Sequence, residues 1–162
     1  MNLQPFDRCE DLLVTADWKR SGDTLQFGYL IEGDTADIVI PSRSAPMRTD
    51  GLWKATCFEA FISTGKTSYV ELNFAPSGQW AAYSFTSYRG GMRELDITPP
   101  RISFAKNRLI AEVELAASPG SALTMTAVIE RKDGARSYWA LAHHGADRPD
   151  FHARDCFVAK LP

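Results

Sequence analysis

Glycine and proline residues interrupt this chain at short intervals, and between them apolar and polar residues alternate over short runs. Alternation is the period of a strand with one buried face, whereas an amphipathic helix repeats its apolar residues every three to four positions. No segment keeps the helical period over several turns, because glycine, proline or β-branched residues break each candidate. The sequence therefore predicts an all-β fold made of many short antiparallel strands.

Turn residues locate several hairpins. Asp133-Gly134 separates LTMTAVIER from ARSYWALA, and Lys106-Asn107 separates RISFA from RLIAEVEL. Asp-Gly between alternating runs is a strong hairpin signal. The runs ATCFEAFIS, SYVELNFA and QWAAYSFT follow one another as a meander, and ADIVIP and CFVAKL are predicted as further strands. We expect a single domain over residues 1–162, an antiparallel β-sandwich of about ten strands that is jelly-roll or immunoglobulin-like in appearance.

Charge and composition narrow the classes of partner. The formal net charge is −2 and the basic residues are dispersed, so the basic patch typical of a nucleic-acid binder is missing. No apolar run approaches the length of a membrane span, and the first residues do not resemble a signal peptide. Cys9, Cys57 and Cys156 are irregularly spaced, which favours free thiols in a reducing compartment. We therefore expect a cytoplasmic protein that binds neither nucleic acid nor membrane.

The stretch LWKATCFEAFIS places a carboxylate in a strand that is apolar on both faces. Alternation puts Phe58 on the face predicted as core and Glu59 on the opposite face. A five-residue loop over residues 64–68 would set Glu59 opposite Asn73 in the next strand, with Glu71 on the same face. A two-residue slip of register would pair Glu59 with Glu71 instead.

The third strand of the meander extends this polar face. With Tyr83 and Phe85 assigned to the core, Trp80 and Ala82 are expected beside Glu71. The resulting face combines carboxylates, an amide, hydroxyl groups, small residues and aromatic rings.

Such a surface suits a saccharide, because sugar C–H faces stack on aromatic rings while carboxylate, amide and guanidinium groups hold the hydroxyls. Trp53, six residues before Glu59, is the candidate for the stacking ring. Glu59 and Asn73 are the candidates for the hydrogen bonds, and Arg89 is expected to border the site. The alternative is that Trp53 plugs a sheet end and Glu59 forms an ion pair with a nearby arginine.

The block LWKATCFEAFIS…YVELNFAPSGQWAAYSFTSYRGGM, with the closing DFHARDCFVAKL, resembles the DOMON-like β-sandwich proteins, a bacterial branch related to family 9 carbohydrate-binding modules. The resemblance covers most of the chain and implies a sandwich with a ligand site on one sheet face. In those modules a Trp followed six residues later by a Glu helps to hold the sugar, and Trp53 and Glu59 match that pair. The modules clamp the sugar between two Trp residues, and Trp139 is the candidate for the second. The resemblance implies non-catalytic saccharide binding.

Three other functions stay open. Glu59 and Glu71 on adjacent strands could form the carboxyl pair of a glycoside hydrolase, although the related modules are not catalytic. Other DOMON relatives bind haem through Met together with His or Lys, a pair that no position here matches well. A structural or partner-binding sandwich is favoured if another element covers the Glu59 face.

The stretch HHGADRPDFHARD, residues 143–155, holds all three histidines of the chain. His143 and His144 are secondary candidates for the site, and the loop could bind a metal or supply a haem ligand with Met47 or Met92. Adjacent histidines in a loop lack the spacing on a rigid element that metal motifs use. We favour a salt-bridged structural loop and expect neither a metal nor a cofactor.

Overall fold

The structure, a computed structural model, describes residues 1–145 and 147–162. Its paired strands form two antiparallel sheets, which confirms the predicted β-sandwich. The larger sheet contains β1 (Gln4–Pro5), β4 (Cys57–Ser63), β5 (Tyr69–Phe74), β6 (Trp80–Phe85), β7 (Arg93–Glu94), β10 (Ala122–Glu130), β11 (Arg136–Ala140) and β12 (Ala159–Lys160). The smaller sheet contains β2 (Leu12–Ser21), β3 (Thr24–Gly33), β8 (Arg101–Ala105) and β9 (Arg108–Glu114).

The strand order of the larger sheet is β1-β11-β10-β4-β5-β6-β7, with β12 also paired to β10, and the smaller sheet runs β2-β3-β9-β8. Two short 3-10 helices, Leu52–Lys54 and Arg154–Cys156, lie outside the sheets. Within the described residues, no helix is long and apolar enough to cross a membrane.

The predicted hairpin turns are confirmed. Ala105 pairs with Arg108 across Lys106-Asn107, and Glu130 pairs with Arg136 around Asp133-Gly134. Lys106 and Asn107 have φ angles of +51° and +58°, the left-handed pair that a two-residue hairpin turn of the primed type requires.

The main core lies between the two sheets and is built from aromatic and aliphatic residues of both. Tyr29 of β3 packs on Phe58 of β4 with ring centroids 4.9 Å apart, and Phe27 stacks on Phe74 at 5.9 Å. The Tyr29 hydroxyl donates a hydrogen bond of 2.5 Å to the main-chain carbonyl of Glu59. The sandwich core therefore fixes the backbone of β4 at the residue where the sequence places its carboxylate.

A second apolar cluster covers the outer face of the larger sheet. Phe151, Phe157 and Cys156 belong to the C-terminal segment, residues 150–157, and pack against outward-facing residues such as Phe61 and Phe85. Strands β4 and β5 are consequently buried along both faces. This second layer explains why β4 is apolar on both sides, as a strand covered on two faces has no solvent side to keep polar.

One strand prediction was wrong, and a second is confirmed over only part of its length. Residues 36–41, ADIVIP, form an isolated bridge between Ile38 and Arg131 instead of a strand. Pro41 has no N–H to extend a ladder, and the main chain of Val39 is held by Glu130 and the Thr56 hydroxyl. At the other end of the chain, CFVAKL pairs only over Ala159–Lys160, because a 3-10 helix occupies its start.

The assignment of faces on β6 was also wrong. The five-residue connection after β5 pairs Phe74 with Trp80 and Leu72 with Ala82. Trp80 and Ala82 therefore face the inter-sheet core, and Tyr83 and Phe85 lie on the outer face. Hydrophobicity alone pointed the other way because the outer face is itself buried by the C-terminal segment.

Candidate functional site

A cavity of about 330 Å³ lies between the outer face of the larger sheet and the C-terminal segment. The segment covers the Glu59 face, as the partner-binding alternative supposed, but leaves this space open above it. Glu59 and Glu71 contribute carboxyl groups, and Arg89 and His152 contribute nitrogen donors. The aromatic walls are Trp53, Phe61, Phe85, Tyr138 and Phe151.

The two carboxyl groups form the polar floor. The register sets Glu59 opposite Asn73, as predicted, and pairs Phe61 with Glu71. Glu59 and Glu71 are only 3% and 5% exposed. The Thr126 hydroxyl donates to Glu59 Oε2 at 2.9 Å, and Asn73 Nδ2 donates to Glu71 Oε1 at 2.8 Å. Each carboxyl group thus has one oxygen that accepts a hydrogen bond from an uncharged donor. For Glu59 the donor is Thr126 on the adjacent strand β10, and for Glu71 it is Asn73, two residues further along β5.

Burial sets the charge of this pair. Loss of hydration raises the pKa of Glu59 to about 8, with a further contribution from the nearby Glu71 and a small opposing one from Thr126. Burial also raises the pKa of Glu71, while the hydrogen bond from Asn73 and the charge of Arg89 oppose the shift. Two close buried carboxyl groups do not ionise together easily, so the pair retains one proton at neutral pH.

Arg89 borders the cavity in a strained turn. Its φ angle is +51°, in the left-handed region that a non-glycine residue rarely adopts. The conformation is held by its main-chain N–H, which donates to the Tyr69 hydroxyl at 3.1 Å, and by a 2.9 Å ion pair with Asp150. Asp150 also accepts a 2.6 Å hydrogen bond from Tyr88. These contacts tie the turn after β6 to the C-terminal segment beside the cavity mouth.

His152 is a site residue that the sequence analysis did not select. Its Nδ1 lies 2.8 Å from the Tyr69 hydroxyl and its Nε2 lies 3.8 Å from Glu71 Oε2. Burial, reinforced by Arg89, lowers the pKa of His152 to about 4, so the ring is neutral at pH 7. Its place in a histidine-rich stretch was visible in the sequence, but no periodicity within that loop indicated which histidine turns inward.

Trp53 lies at the rim on the 3-10 helix Leu52–Lys54. Its side chain is 39% exposed and its ring meets Tyr83 edge to face at a centroid distance of 6.4 Å. The Tyr83 hydroxyl in turn donates to Asp50, just before that helix. The indole therefore lines the cavity while part of its surface stays exposed.

Four of the eight predicted site residues line the cavity, namely Trp53, Glu59, Glu71 and Arg89. Asn73 is fully buried and contacts Glu71 instead of the open space. His143 Nε2 bonds to the Gln4 carbonyl at 2.8 Å, and His144 lies 3.2 Å from Asp155. Neither ring lines the cavity.

The assignment of Trp139 to the site requires a correction. Trp139 pairs with Ala127 on β10, whose side chain faces the inter-sheet core, so the indole is buried there and bonds to Ser137. The adjacent Tyr138 points to the opposite face and lines the cavity. The hairpin turn at Asp133-Gly134 indicates which residues of β11 share a face, but it does not reveal which of the two faces is the inner one.

A second hollow of about 420 Å³ lies beside Asp11 and Arg131. These two side chains neutralise each other through a 2.7 Å ion pair, and none of the described lining residues is aromatic. With Asp11 and Arg131 bonded to each other and no aromatic side chain to stack on, this hollow suits a ligand less well, so we regard the cavity above Glu59 as the candidate site. Among the described residues, no group of three or more His, Cys, Asp or Glu side chains is placed to hold a metal ion.

No protein-family model matches the chain, and no curated protein matches it. A solved structure described as a "putative carbohydrate-binding protein" from Bacteroides uniformis superposes with a TM-score of 0.65. The superposition covers 95% of this chain and 83% of that chain, at 13% sequence identity. At this identity the likeness shows that the two chains share a fold.

Proposed function

We propose that the cavity binds a saccharide and releases it chemically unchanged. The observation that carries this proposal is the buried carboxyl pair, Glu59 and Glu71, at the floor of a cavity with aromatic walls. Carboxyl oxygens satisfy sugar hydroxyls, and aromatic rings cover the C–H faces of the ring. The shared fold with a protein described as carbohydrate-binding supports the same reading.

In this proposal each side chain has a separate role. Trp53 stacks on the sugar at the mouth, while Glu59 and Glu71 bond hydroxyls at the floor. Arg89 bonds a hydroxyl from the rim, and Tyr138 takes the position that Trp139 was expected to fill. The placement of both Trp53 and Glu59 at one cavity also supports the proposed relation to DOMON-like domains and family 9 modules.

The proposal is tested by thermal shift against a panel of monosaccharides and oligosaccharides. A ligand that binds only the folded protein raises the melting temperature, so weak binding is detectable at high sugar concentration. We expect a sugar-specific shift that Trp53→Ala abolishes. Leu13→Ala is the matched control, because Leu13 has the same 39% exposure on the other sheet. A shift that survives Trp53→Ala would contradict the assigned stacking role.

Glycoside hydrolysis is the second candidate, and the raised pKa of Glu59 is the observation that favours it. A carboxyl group that stays protonated at neutral pH can act as a general acid beside a second carboxyl group. Turnover of nitrophenyl glycosides that is lost in Glu59→Gln would establish hydrolysis. Binding without turnover would support the non-catalytic proposal.

The residues that line the cavity are less suited to binding haem than to binding a saccharide. His152 lines the cavity with Met92, but the two ring nitrogens of His152 face Tyr69 and Glu71. A visible spectrum of the sample used for the thermal shifts tests this directly through the Soret band.

A further inference from the structure

The charges that line the candidate site do not balance. Glu59 and Glu71 bring two carboxyl groups to the cavity, and Arg89 is the one guanidinium among the described lining residues. Arg89 is already bonded to Asp150 at 2.9 Å. His152, held between Tyr69 and Glu71, is neutral at pH 7. With one proton on the glutamate pair, the pair still carries one negative charge, and the guanidinium nearest to it is already shared with Asp150.

Each of the two carboxyl groups has an oxygen without a hydrogen-bond partner among the described residues. Glu59 uses Oε2 for Thr126, which leaves Oε1, and Glu71 uses Oε1 for Asn73, which leaves Oε2. His152 Nε2 lies 3.8 Å from Glu71 Oε2, beyond hydrogen-bond distance. Both side chains are more than nine-tenths buried and line the cavity, so the free oxygens are available to a ligand and accept its hydrogen bonds once the pair's remaining proton has left.

A ligand hydroxyl and a ligand ammonium group would use these oxygens differently. A hydroxyl leaves the pair's charge uncompensated, whereas an ammonium group has three N–H donors and the opposite charge. Charge-assisted hydrogen bonds are roughly twice as strong as neutral ones. The aromatic walls add to the preference, because the faces of Trp, Tyr and Phe attract cations.

We propose that the ligand carries a protonated amine that binds against the free oxygens of Glu59 and Glu71, so that the preferred saccharides are amino sugars. This inference rests on the proposed saccharide function for its sugar part. Its amine part stands on the geometry of the two carboxyl groups and the charge around them.

Binding of the amine should release a proton. The empty pair holds one proton at neutral pH, and a cation beside it favours the ionised form, so the proton passes to solvent as the ligand enters. Other groups close to the pair do not supply it, since burial raises the pKa of Cys57 and Tyr69 and lowers that of His152. The titratable and charged groups that surround the pair are Tyr29 on β3, Cys57 on β4, Tyr69 on β5, Tyr83 on β6, Tyr138 on β11, Arg89, Asp150 and His152.

The test is isothermal titration of the intact chain with D-glucosamine, D-glucose and N-acetyl-D-glucosamine. We expect D-glucosamine to bind about tenfold more tightly than either neutral sugar. Its affinity should rise by up to about tenfold between about pH 6 and pH 7, where the amine stays charged, because less work is needed to remove the pair's proton. The heat should depend on the ionisation enthalpy of the buffer, which reports the released proton.

Two variants separate the charge from the shape of the site. Glu59→Gln keeps the size of the side chain but leaves Glu71 as the one carboxyl group of the pair, so it should weaken the preference for D-glucosamine and remove its buffer dependence. Glu112→Gln is the control, because Glu112 belongs to the smaller sheet and pairs with Arg101 at 2.8 Å. It should leave both unchanged.

The outcomes distinguish the two proposals. Equal affinity for D-glucosamine and D-glucose, without proton release, would overturn the amine inference and leave saccharide binding standing. If no sugar binds, cyclohexylamine and cyclohexanol are titrated next. Binding of cyclohexylamine alone would keep the amine inference and overturn saccharide binding, and binding of neither would overturn both.

Discussion

At the scale of single residues, Glu59 places a carboxyl group where it is almost completely shielded from water. It is 97% buried, and its side chain is held by one hydroxyl, that of Thr126. A carboxyl group in this setting keeps its proton at neutral pH unless a cation comes close. The same property that makes Glu59 sensitive to a ligand therefore also makes it sensitive to pH.

We predict that the free energy of unfolding falls by about 2 kcal/mol between about pH 6.5 and pH 9. The folded protein keeps the proton on Glu59 up to a pKa of about 8, whereas an unfolded glutamate has lost it near its ordinary pKa of 4.5. Stability from this group is complete below the unfolded pKa and is lost as pH rises through the folded one. His152 acts oppositely, since its folded pKa of about 4 lies below its ordinary 6.5, and it offsets Glu59 only below about pH 6.5.

Urea denaturation across this pH interval measures the effect. Glu59→Gln, which has no proton to lose, should flatten the decline, and Glu112→Gln should retain it. An equal decline in Glu59→Gln would show that another group is responsible.

Asn73 is predicted to stabilise the site without touching the ligand. Asn73→Leu keeps a similar volume but removes the Nδ2 donor to Glu71, which leaves that buried carboxyl group without its hydrogen bond. We expect a loss of about 1–3 kcal/mol in urea denaturation. Gln26→Leu is a control, because Gln26 bonds to the more exposed Glu112 and should cost less. A loss no greater than that of the control would contradict the role assigned to Asn73.

At the scale of elements, the C-terminal segment determines how much of the site can be predicted from the sequence. Pairing of β4 with β5 followed from a five-residue loop and a period of two, so the sequence placed Glu59 opposite Asn73 correctly. The face of β6 and the orientation of Trp139 did not follow, because both faces of the larger sheet are apolar. Alternation identifies two faces of a strand but cannot say which is inner when a second layer buries the outer one.

Phe157→Ala should loosen the C-terminal segment without unfolding the sandwich. Phe157 packs on Phe61 and Tyr69 at ring-centroid distances of 6.2 and 5.8 Å, but it lies outside the inter-sheet core. We expect faster amide hydrogen exchange over residues 150–157 while β4 and β5 remain protected. Phe58→Ala, in the main core, should instead cost about 3–5 kcal/mol and speed exchange throughout. Uniform acceleration in Phe157→Ala would contradict this division.

At the scale of the whole molecule, the fold places an aromatic-walled cavity where two layers of packing meet. The sheets hold Glu59 and Glu71 rigidly, while the turn at Arg89 and the segment at Asp150 close the side of the cavity through ion-paired contacts. All-β class, sandwich architecture and hairpin positions followed from periodicity and turn residues. The cavity did not, because it depends on long-range packing of residues 150–157 onto β4, β5 and β6, which no local pattern encodes.

The central claim is that a saccharide binds in this cavity, and mapping of backbone amide shifts by NMR during a sugar titration tests it most directly. We predict that the perturbed amides cluster in Trp53, β4, β5, residues 85–92 and residues 150–152, with the same dependence on sugar concentration. Perturbations centred on Asp11 and Arg131, or an absence of perturbation across a panel that includes D-glucosamine, would contradict the claim.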